Sequence, residues 1–413
     1  MKTLIKNIKY LYQTEGGSER KRVVAGSAMA DVPYLENAWI VVENDIIHSF
    51  GKMTELTENH FNKEIDASDC LVVPAWCDSH THLVFAAPRE QEFVDRIKGK
   101  SYEEIARNGG GILNSAARLR LMDESELYDQ SYQRLQQVIS QGTGAIEIKS
   151  GYGLNLEAEL KMLRVIRKLK ENTDVSIKAS FLAAHAYPIE YKEDKQSYIK
   201  LIIDKMLPKV AAEGLADYID VFCEEGFFSV SDTEQLLEAG QLYGLKAKIH
   251  ANQLHYSGGV QVGVKLKAVS VDHLECVGEA EIEALKSGST MPTLLPAAAF
   301  FLGIQYQPAR KIIEAGLPVC LASDYNPGSC PSGNMNLLTT IACTQLKMTP
   351  NEAINAITIN GAAAMELEHQ LGSITVGKKA NLIITKPLNS LNSIPYDFGN
   401  NPVQQMMLNG RLV

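Results

Sequence analysis

Apolar residues recur along this chain in two rhythms. From Thr3 to Met53, short alternating runs such as Ala38-Trp39-Ile40-Val41-Val42 are broken by Gly and Asn, the mark of β-structure. The C-terminal stretch reads the same way at Gly372-Ser373-Ile374-Thr375-Val376, Ala380 to Thr385 and Val403 to Leu408. The two ends are therefore expected to build one small β-domain from residues 1–70 and 371–413. Between them lie eight apolar strand candidates: Leu71–Pro74, Ala145–Lys149, Ile177–Ala183, Tyr218–Cys223, Lys246–Ile249, Ala268–Val271, Thr290–Leu295 and Pro318–Ala322. Intervening stretches such as Leu156 to Leu169 and Tyr198 to Val210 repeat apolar residues at three and four, as helices outside a barrel do. The expectation is α/β: a TIM-like (β/α)8 barrel over 71–370 carrying a small β-sandwich from both chain ends.

Composition narrows the class without choosing the chemistry. The chain has 413 residues, 45% hydrophobic and 22% charged, ordinary usage for a globular chain with a sizeable core. Lys2, Lys6 and Lys9 interrupt the apolar residues of the N-terminus, so no signal peptide is read there and a cytoplasmic location is expected. Seven cysteines without a C-x-x-C pair suggest neither a disulfide framework nor a zinc knuckle. A net charge of -9 counts against nucleic acid as a partner, because phosphate binding wants a basic face. No run of apolar residues approaches the length of a membrane span.

The chemistry concentrates where strand candidates end. Asp78-Ser79-His80-Thr81-His82 follows the first one, and alternate residues of an extended chain face the same side, so His80 and His82 can meet one metal ion. An isolated H-x-H is more often a polar pair in a loop. Here, however, His185, His250, His273 and Asp324 also close apolar runs, at the strand ends where barrels place active sites. His48, His60, His255 and His369 lack that setting and are read as surface or structural residues. Three imidazoles and a carboxylate suit Zn²⁺ or iron, with His80, His82, His250 and Asp324 as ligands. Metal-activated water would then be the nucleophile, Asp324 its proton acceptor and His273 a residue that orients it or shares the proton. Gly109-Gly110-Gly111 and Lys149-Ser150-Gly151-Tyr152-Gly153 lack a phosphate-loop pattern and read as tight turns near a small ligand. Asn326-Pro327-Gly328-Ser329 reads as a turn whose N–H groups and side chains grip a polar substrate, and Arg89 as a carboxylate clamp.

Taken together these motifs resemble those of the imidazolonepropionases, across nearly the whole barrel and the C-terminal β-segment. The set comprises Asp78-Ser79-His80-Thr81-His82, Arg89-Glu90, Gly109-Gly110-Gly111-Ile112, Lys149-Ser150-Gly151-Tyr152-Gly153-Leu154, Ala184-His185-Ala186, Val271-Asp272-His273, Leu294-Leu295-Pro296 and Asp324-Tyr325-Asn326-Pro327-Gly328-Ser329. The resemblance implies one Zn²⁺ or Fe³⁺ per subunit at His80, His82, His250 and Asp324. It implies that Arg89, Tyr152, His185, Asn326, Gly328 and Ser329 hold 4-imidazolone-5-propanoate, with Arg89 on the propanoate. It further implies ring opening to N-formimidoyl-L-glutamate, the third step from histidine to glutamate, in a homodimer.

One departure bears on mechanism. Many family members carry His-Ala-Asp-Glu after the fifth strand, where this chain has His250-Ala251-Asn252-Gln253. Gln253 cannot act as a general base but can donate to and accept from the ring, so it is read as a substrate contact, with proton transfer assigned to His273 and Asp324. The competing readings are a nucleobase aminohydrolase, a hydantoinase-like enzyme with Lys149 as its carboxylated lysine, and a catalytically silent ligand-binding protein.

Overall fold

The structure, a computed structural model, describes residues 1–15, 22–100, 104 and 110–413. Gly109, the first residue of the triple-glycine cluster, lies outside them. Two eight-stranded sheets organise the chain. The first gathers β1 (Lys2–Tyr12), β2 (Tyr34–Glu43), β3 (Ile46–Lys52), β4 (Lys63–Asp66) and β5 (Cys70–Pro74) from the N-terminal end. From the C-terminal end it takes β14 (Leu382–Pro387), β15 (Val403–Leu408) and β16 (Arg411–Leu412). Its order is β16-β15-β14-β5-β1-β2-β3, with β4 beside β1. The second sheet is the barrel and runs β6 (Trp76–Thr81), β7 (Thr143–Lys149), β8 (Ser176–Ala184), β9 (Tyr218–Cys223), β10 (Lys246–Ala251), β11 (Ser270–His273), β12 (Met291–Leu294) and β13 (Cys320–Leu321), each parallel to the next.

Leu71–Pro74, read above as the first barrel strand, is instead β5 of the end sheet, antiparallel to β14 with Val72 opposite Ile384. Its side chains alternate between two cores: Leu71 and Val73 join the barrel core, whereas Cys70 and Val72 join the core of the end sheet with Ile5, Ile40 and Leu382. Burial on both faces makes the run apolar throughout, which is the pattern of a parallel barrel strand as well. The barrel begins five residues later, at Trp76, so the His80 and His82 pair lies at the end of β6 itself. The other seven strand candidates all overlap barrel strands. Gly372–Val376 forms no strand. Among the described residues Ile374 bridges only Thr14, and the neighbouring Ser373 and Thr375 hydroxyls are taken up by Glu15.

The helical expectations hold with one irregularity. Leu156–Glu171 is one helix, started by the Asn155 side chain accepting the Ala158 N–H at 2.9 Å, a cap worth about 1 kcal/mol. The stretch from Tyr198 to Val210 is helical but widens into a π-type turn over Ile202–Met206. Pro208 has no N–H to return to Asp204, which accounts for the widening.

Barrel closure builds the site. The gap between β13 and β6 is spanned by the Asp324 N–H donating to the His80 carbonyl at 3.0 Å and the His82 N–H donating to the Tyr325 carbonyl at 2.9 Å. Asp324 is thereby fixed between the two histidines.

Candidate active site

Nine histidines divide cleanly. His80, His82, His185, His250 and His273 are buried, and His48, His60, His255 and His369 are exposed, as the sequence reading expects. All five buried ones lie at the C-terminal ends of barrel strands or directly follow them, and their rings converge: His80 to His250 at 4.5 Å between centroids, His82 to His185 at 5.0 Å and His250 to His273 at 5.2 Å.

Carboxylates behind the rings set their tautomers. Asp272 Oδ2 lies 2.6 Å from His80 Nδ1 and Asp220 Oδ1 lies 3.0 Å from His250 Nδ1. A carboxylate only accepts, so both Nδ1 atoms carry the proton and both Nε2 atoms present lone pairs. Those lone pairs meet at one point. His82 and His250 Nε2 are 3.3 Å apart, Asp324 Oδ1 is 3.6 Å from Nε2 of both His80 and His82, and His80 Nε2 is buried without a hydrogen-bond partner among the described residues. Burial, then the Lys149 charge for His80 and the neighbouring rings for both, holds His80 and His82 well below the usual histidine pKa. Neutral imidazoles with convergent lone pairs beside a buried carboxylate are a cation's donor set. The donor atoms of His80, His82 and Asp324 lie within 4.8 Å of one another, as do those of His82, His185 and His250 and those of His80, His250 and His273. The residues fit a metal ion.

Beneath them lies a charge network that the sequence reading missed. Lys149 Nζ donates to Glu147 Oε1 at 2.5 Å and Asp220 Oδ2 at 2.7 Å and stands 3.7 Å from Asp272 Oδ2, and Lys248 Nζ pairs with the other Glu147 oxygen. All five are buried. Although burial opposes its charge, the Asp220, Glu147 and Asp272 carboxylates outweigh it and raise the Lys149 pKa. A lysine held as ammonium has no amine to carboxylate, which argues against the hydantoinase-like reading. The available signal was a charged residue inside an apolar run, Asp220 in Tyr218–Cys223 and Asp272 after Val271, since a buried charge needs a partner.

A cavity of about 410 Å³ opens onto the cluster. Its walls carry His82, His185, His250, His273, Asp324, Arg89, Tyr152, Gln253, Asn326, Gly328 and Ser329, every candidate named above except His80, which lies behind it. The Lys149–Gly153 turn folds back on Glu159, whose carboxylate accepts the N–H groups of Gly151, Gly153 and Leu154. Tyr152 is thereby presented to the cavity. Gly151 has φ +104°, and a Cβ there would meet the Leu182 carbonyl at 2.9 Å, so only glycine fits.

The Asn326–Ser329 turn differs from expectation. Gly328 and Ser329 donate their N–H groups to Asn326 Oδ1 at 2.8 and 2.7 Å, and Asn326 Nδ2 donates to the Asp324 carbonyl at 2.6 Å and to Ser329 Oγ at 2.7 Å. The turn satisfies its own N–H groups, so it does not aim them at a ligand. Ser329 Oγ donates onward to Asp324 Oδ2 at 3.1 Å. The sequence reading also missed Glu92, ion-paired with Arg89, and Arg96, which donates to the Gly328 carbonyl at 2.7 Å.

The comparisons with known proteins point the same way. The amidohydrolase family model matches residues 71–413. The imidazolonepropionase of Flavobacterium johnsoniae is 57% identical over 413 residues, covering 100% of both chains. That of Parabacteroides distasonis is 39% identical over 414 residues, covering 100% of this chain and 98% of its own. Among solved structures, E. coli guanine deaminase superposes with a TM-score of 0.73 at 13% identity, covering 100% of this chain and 99% of that one. A zinc-bound adenosine deaminase from Xanthomonas campestris does so with a TM-score of 0.70 at 15% identity, covering 99% and 92%.

Proposed function

This chain belongs to the amidohydrolase family and, within it, to the imidazolonepropionases, and on that premise we infer that it hydrolyses the ring C–N bond of 4-imidazolone-5-propanoate to give N-formimidoyl-L-glutamate, the third step of histidine degradation. It is a hydrolase of carbon–nitrogen bonds in cyclic amides. The observation that carries the reading is a single cavity holding both the convergent histidine and Asp324 cluster and, on its wall, the Arg89 guanidinium. Identity of 57% over the whole chain to a relative of that name supports it.

The cofactor is a metal ion, proposed as one Zn²⁺ or Fe³⁺ per subunit held by His80, His82, His250 and Asp324. Such an ion would supply Lewis acidity that lowers the pKa of water toward neutrality. The protein's own groups do the rest. Arg89 pairs with the propanoate, and Tyr152, His185, Gln253, Asn326, Gly328 and Ser329 enclose the ring. Gln253 serves both faces of the amidine, since its amide donates and accepts. Asp324 takes a proton as water adds to the ring carbonyl carbon. His273 delivers a proton to the departing nitrogen as the C–N bond breaks, so the carbonyl carbon becomes a carboxylate and the nitrogen ends the formimidoyl group. Asp324 suits the accepting role because its Oδ1 lies 3.6 Å from Nε2 of both His80 and His82, beside the donors that would hold the ion.

A cytoplasmic homodimer is proposed on the family resemblance, and a monomer mass by light scattering would count against it. Among the described residues no helix is long and apolar enough to cross a membrane. The function itself is tested by following the ultraviolet absorbance of fresh 4-imidazolone-5-propanoate with metal-analysed protein, beside a Gln253→Glu variant and a blank for spontaneous decay. Metal-dependent loss with N-formimidoyl-L-glutamate formed is the expected result. Loss no faster than the blank with the metal site filled would sink the reading.

A further inference from the structure

Helix Glu90–Ile97 starts at Arg89, and positions i, i+3 and i+7 of a helix share a face. Arg89, Glu92 and Arg96 therefore form one stripe, and all three line the active-site cavity. Glu92 is committed to Arg89 through Oε2 and to the Gly111 N–H, at 2.9 Å, through Oε1. Arg96 is half-buried, donates one N–H to the Gly328 carbonyl and stacks over Phe301 at 5.4 Å, yet has no ion pair with a carboxylate among the described residues. The guanidinium of Arg96 stands beside a cavity wall that includes Ile112, Phe222, Leu302 and Ile304. A half-buried guanidinium without a counter-ion in such surroundings favours an anion strongly, because less water competes for it.

We propose that Arg96 is a second anchor for the substrate carboxylate and a determinant of specificity: it lines the cavity beside Arg89 with no ion pair to a carboxylate among the described residues, and it selects a ligand with a carboxylate over its neutral amide. This rests on the functional reading above. The guanidinium has five N–H donors, and the bond to Gly328 uses one, so the remaining fork can reach a carboxylate without leaving the turn. Arg96 then also ties the helix that carries Arg89 to the Asn326–Ser329 turn, on the same cavity wall.

The test is titration calorimetry of the metal-loaded enzyme with two stable analogues, 3-(imidazol-4-yl)propanoate and its amide. It compares wild type with Arg96→Gln and Arg96→Lys. In the Gln variant the propanoate should bind about tenfold to a hundredfold more weakly while the amide changes by less than about twofold, and Lys should recover part of the loss. With the natural substrate the penalty should fall on KM more than on kcat. Equal weakening of both ligands would overturn the proposal, since Arg96 would then act only by shaping the Gly328 turn, and so would no change in either. Wild type that binds neither analogue would sink the functional reading along with it. Wild type that prefers the propanoate, with Arg96 variants unaffected, would sink this proposal alone.

Discussion

Asn252 donates its side-chain amide to the Cys276 carbonyl at 2.9 Å, and the Cys276 N–H donates back to the Asn252 carbonyl at 2.9 Å. This double bond between segments locks the end of β10 to the turn after β11. The residue is fully buried, sits at φ +54°, and accepts from Ser257 Oγ at 3.0 Å; Asn tolerates that backbone better than most residues. An acid expected here from the resemblance would have no proton to offer the carbonyl. We predict that Asn252→Asp destabilises the fold by about 1 to 3 kcal/mol, the cost of a buried acceptor left unmatched. Urea denaturation would read it, and an unchanged midpoint would show that the segments are held elsewhere.

Gly328 faces Arg89 so closely that a Cβ there would run into the guanidinium. Its φ is not positive, so alanine strains no backbone and the change acts through Arg89. Gly328→Ala should raise KM about tenfold with a smaller change in kcat, as expected when binding common to ground and transition states is lost. Steady-state kinetics decide it: an unchanged KM would place the propanoate away from Arg89.

His273 and Leu274 both adopt positive φ, +87° and +66°, a strained pair for non-glycine residues of the kind that gathers at functional sites. The bend brings Glu275 Oε1 to 3.6 Å from His273 Nδ1, while Gln307 Nε2 donates to the same oxygen at 2.9 Å. Burial disfavours the imidazolium, but Glu275, Asp324 and Asp272 outweigh it and raise the His273 pKa. His273→Ala should abolish turnover while metal content stays full. Glu275→Gln should lower kcat by about 10- to 100-fold and shift the alkaline limb of the rate profile to lower pH, because His273 loses its proton sooner. A profile that keeps its limb would separate Glu275 from proton transfer.

The convergent cluster was legible because each member closes an apolar run: His80 in β6 with His82 directly after it, His250 in β10, His273 in β11 and Asp324 beyond β13. Strand ends converge in a barrel, so local pattern and fold class together placed them. β5 was misassigned because burial on both faces erases the alternation that distinguishes an end-sheet strand. The pairing of Lys149 with Asp220 and Asp272 was missed for a different reason: the partners lie on other strands, and no spacing along the chain encodes a pairing across a barrel. Arg96 needed the helix face and the absence of a counter-ion, neither of which a lone arginine announces.

Lys149 is the shared counter-charge of the two carboxylates that bond His80 and His250, both proposed metal ligands. Asp220 bonds both His250 Nδ1 and Lys149 Nζ, and Asp272 bonds His80 Nδ1 while standing 3.7 Å from Lys149. Lys149→Met leaves Glu147, Asp220 and Asp272 facing Lys248 alone. Breaking a buried pair in this way costs about 3 to 5 kcal/mol of stability, and loss of outer-shell support weakens metal binding by about 10- to 100-fold. Chelator competition on the folded fraction measures the second effect. Metal retention equal to wild type would mean that the carboxylates hold their histidines unaided.

Acid should unfold the metal-free protein through its buried imidazoles. Burial, and then the nearby His250 ring, depress the His185 pKa to about 3, and His80 and His82 are likewise well below the usual value. Between about 6.5 and the folded pKa the unfolded chain binds a proton at each of these positions and the folded chain does not. Stability therefore falls as pH drops through that window, by about 1.4 kcal/mol per pH unit for each histidine, and is flat from this source above it. Metal binding requires the same neutral rings, so added metal should resist the loss at pH 6 and fail further down. Urea midpoints of the metal-free protein at pH 7.5, 6 and 5 should decline with that slope, and His185→Gln should remove one histidine's share of it. Midpoints that stay level to pH 5 would show these histidines taking up protons without unfolding.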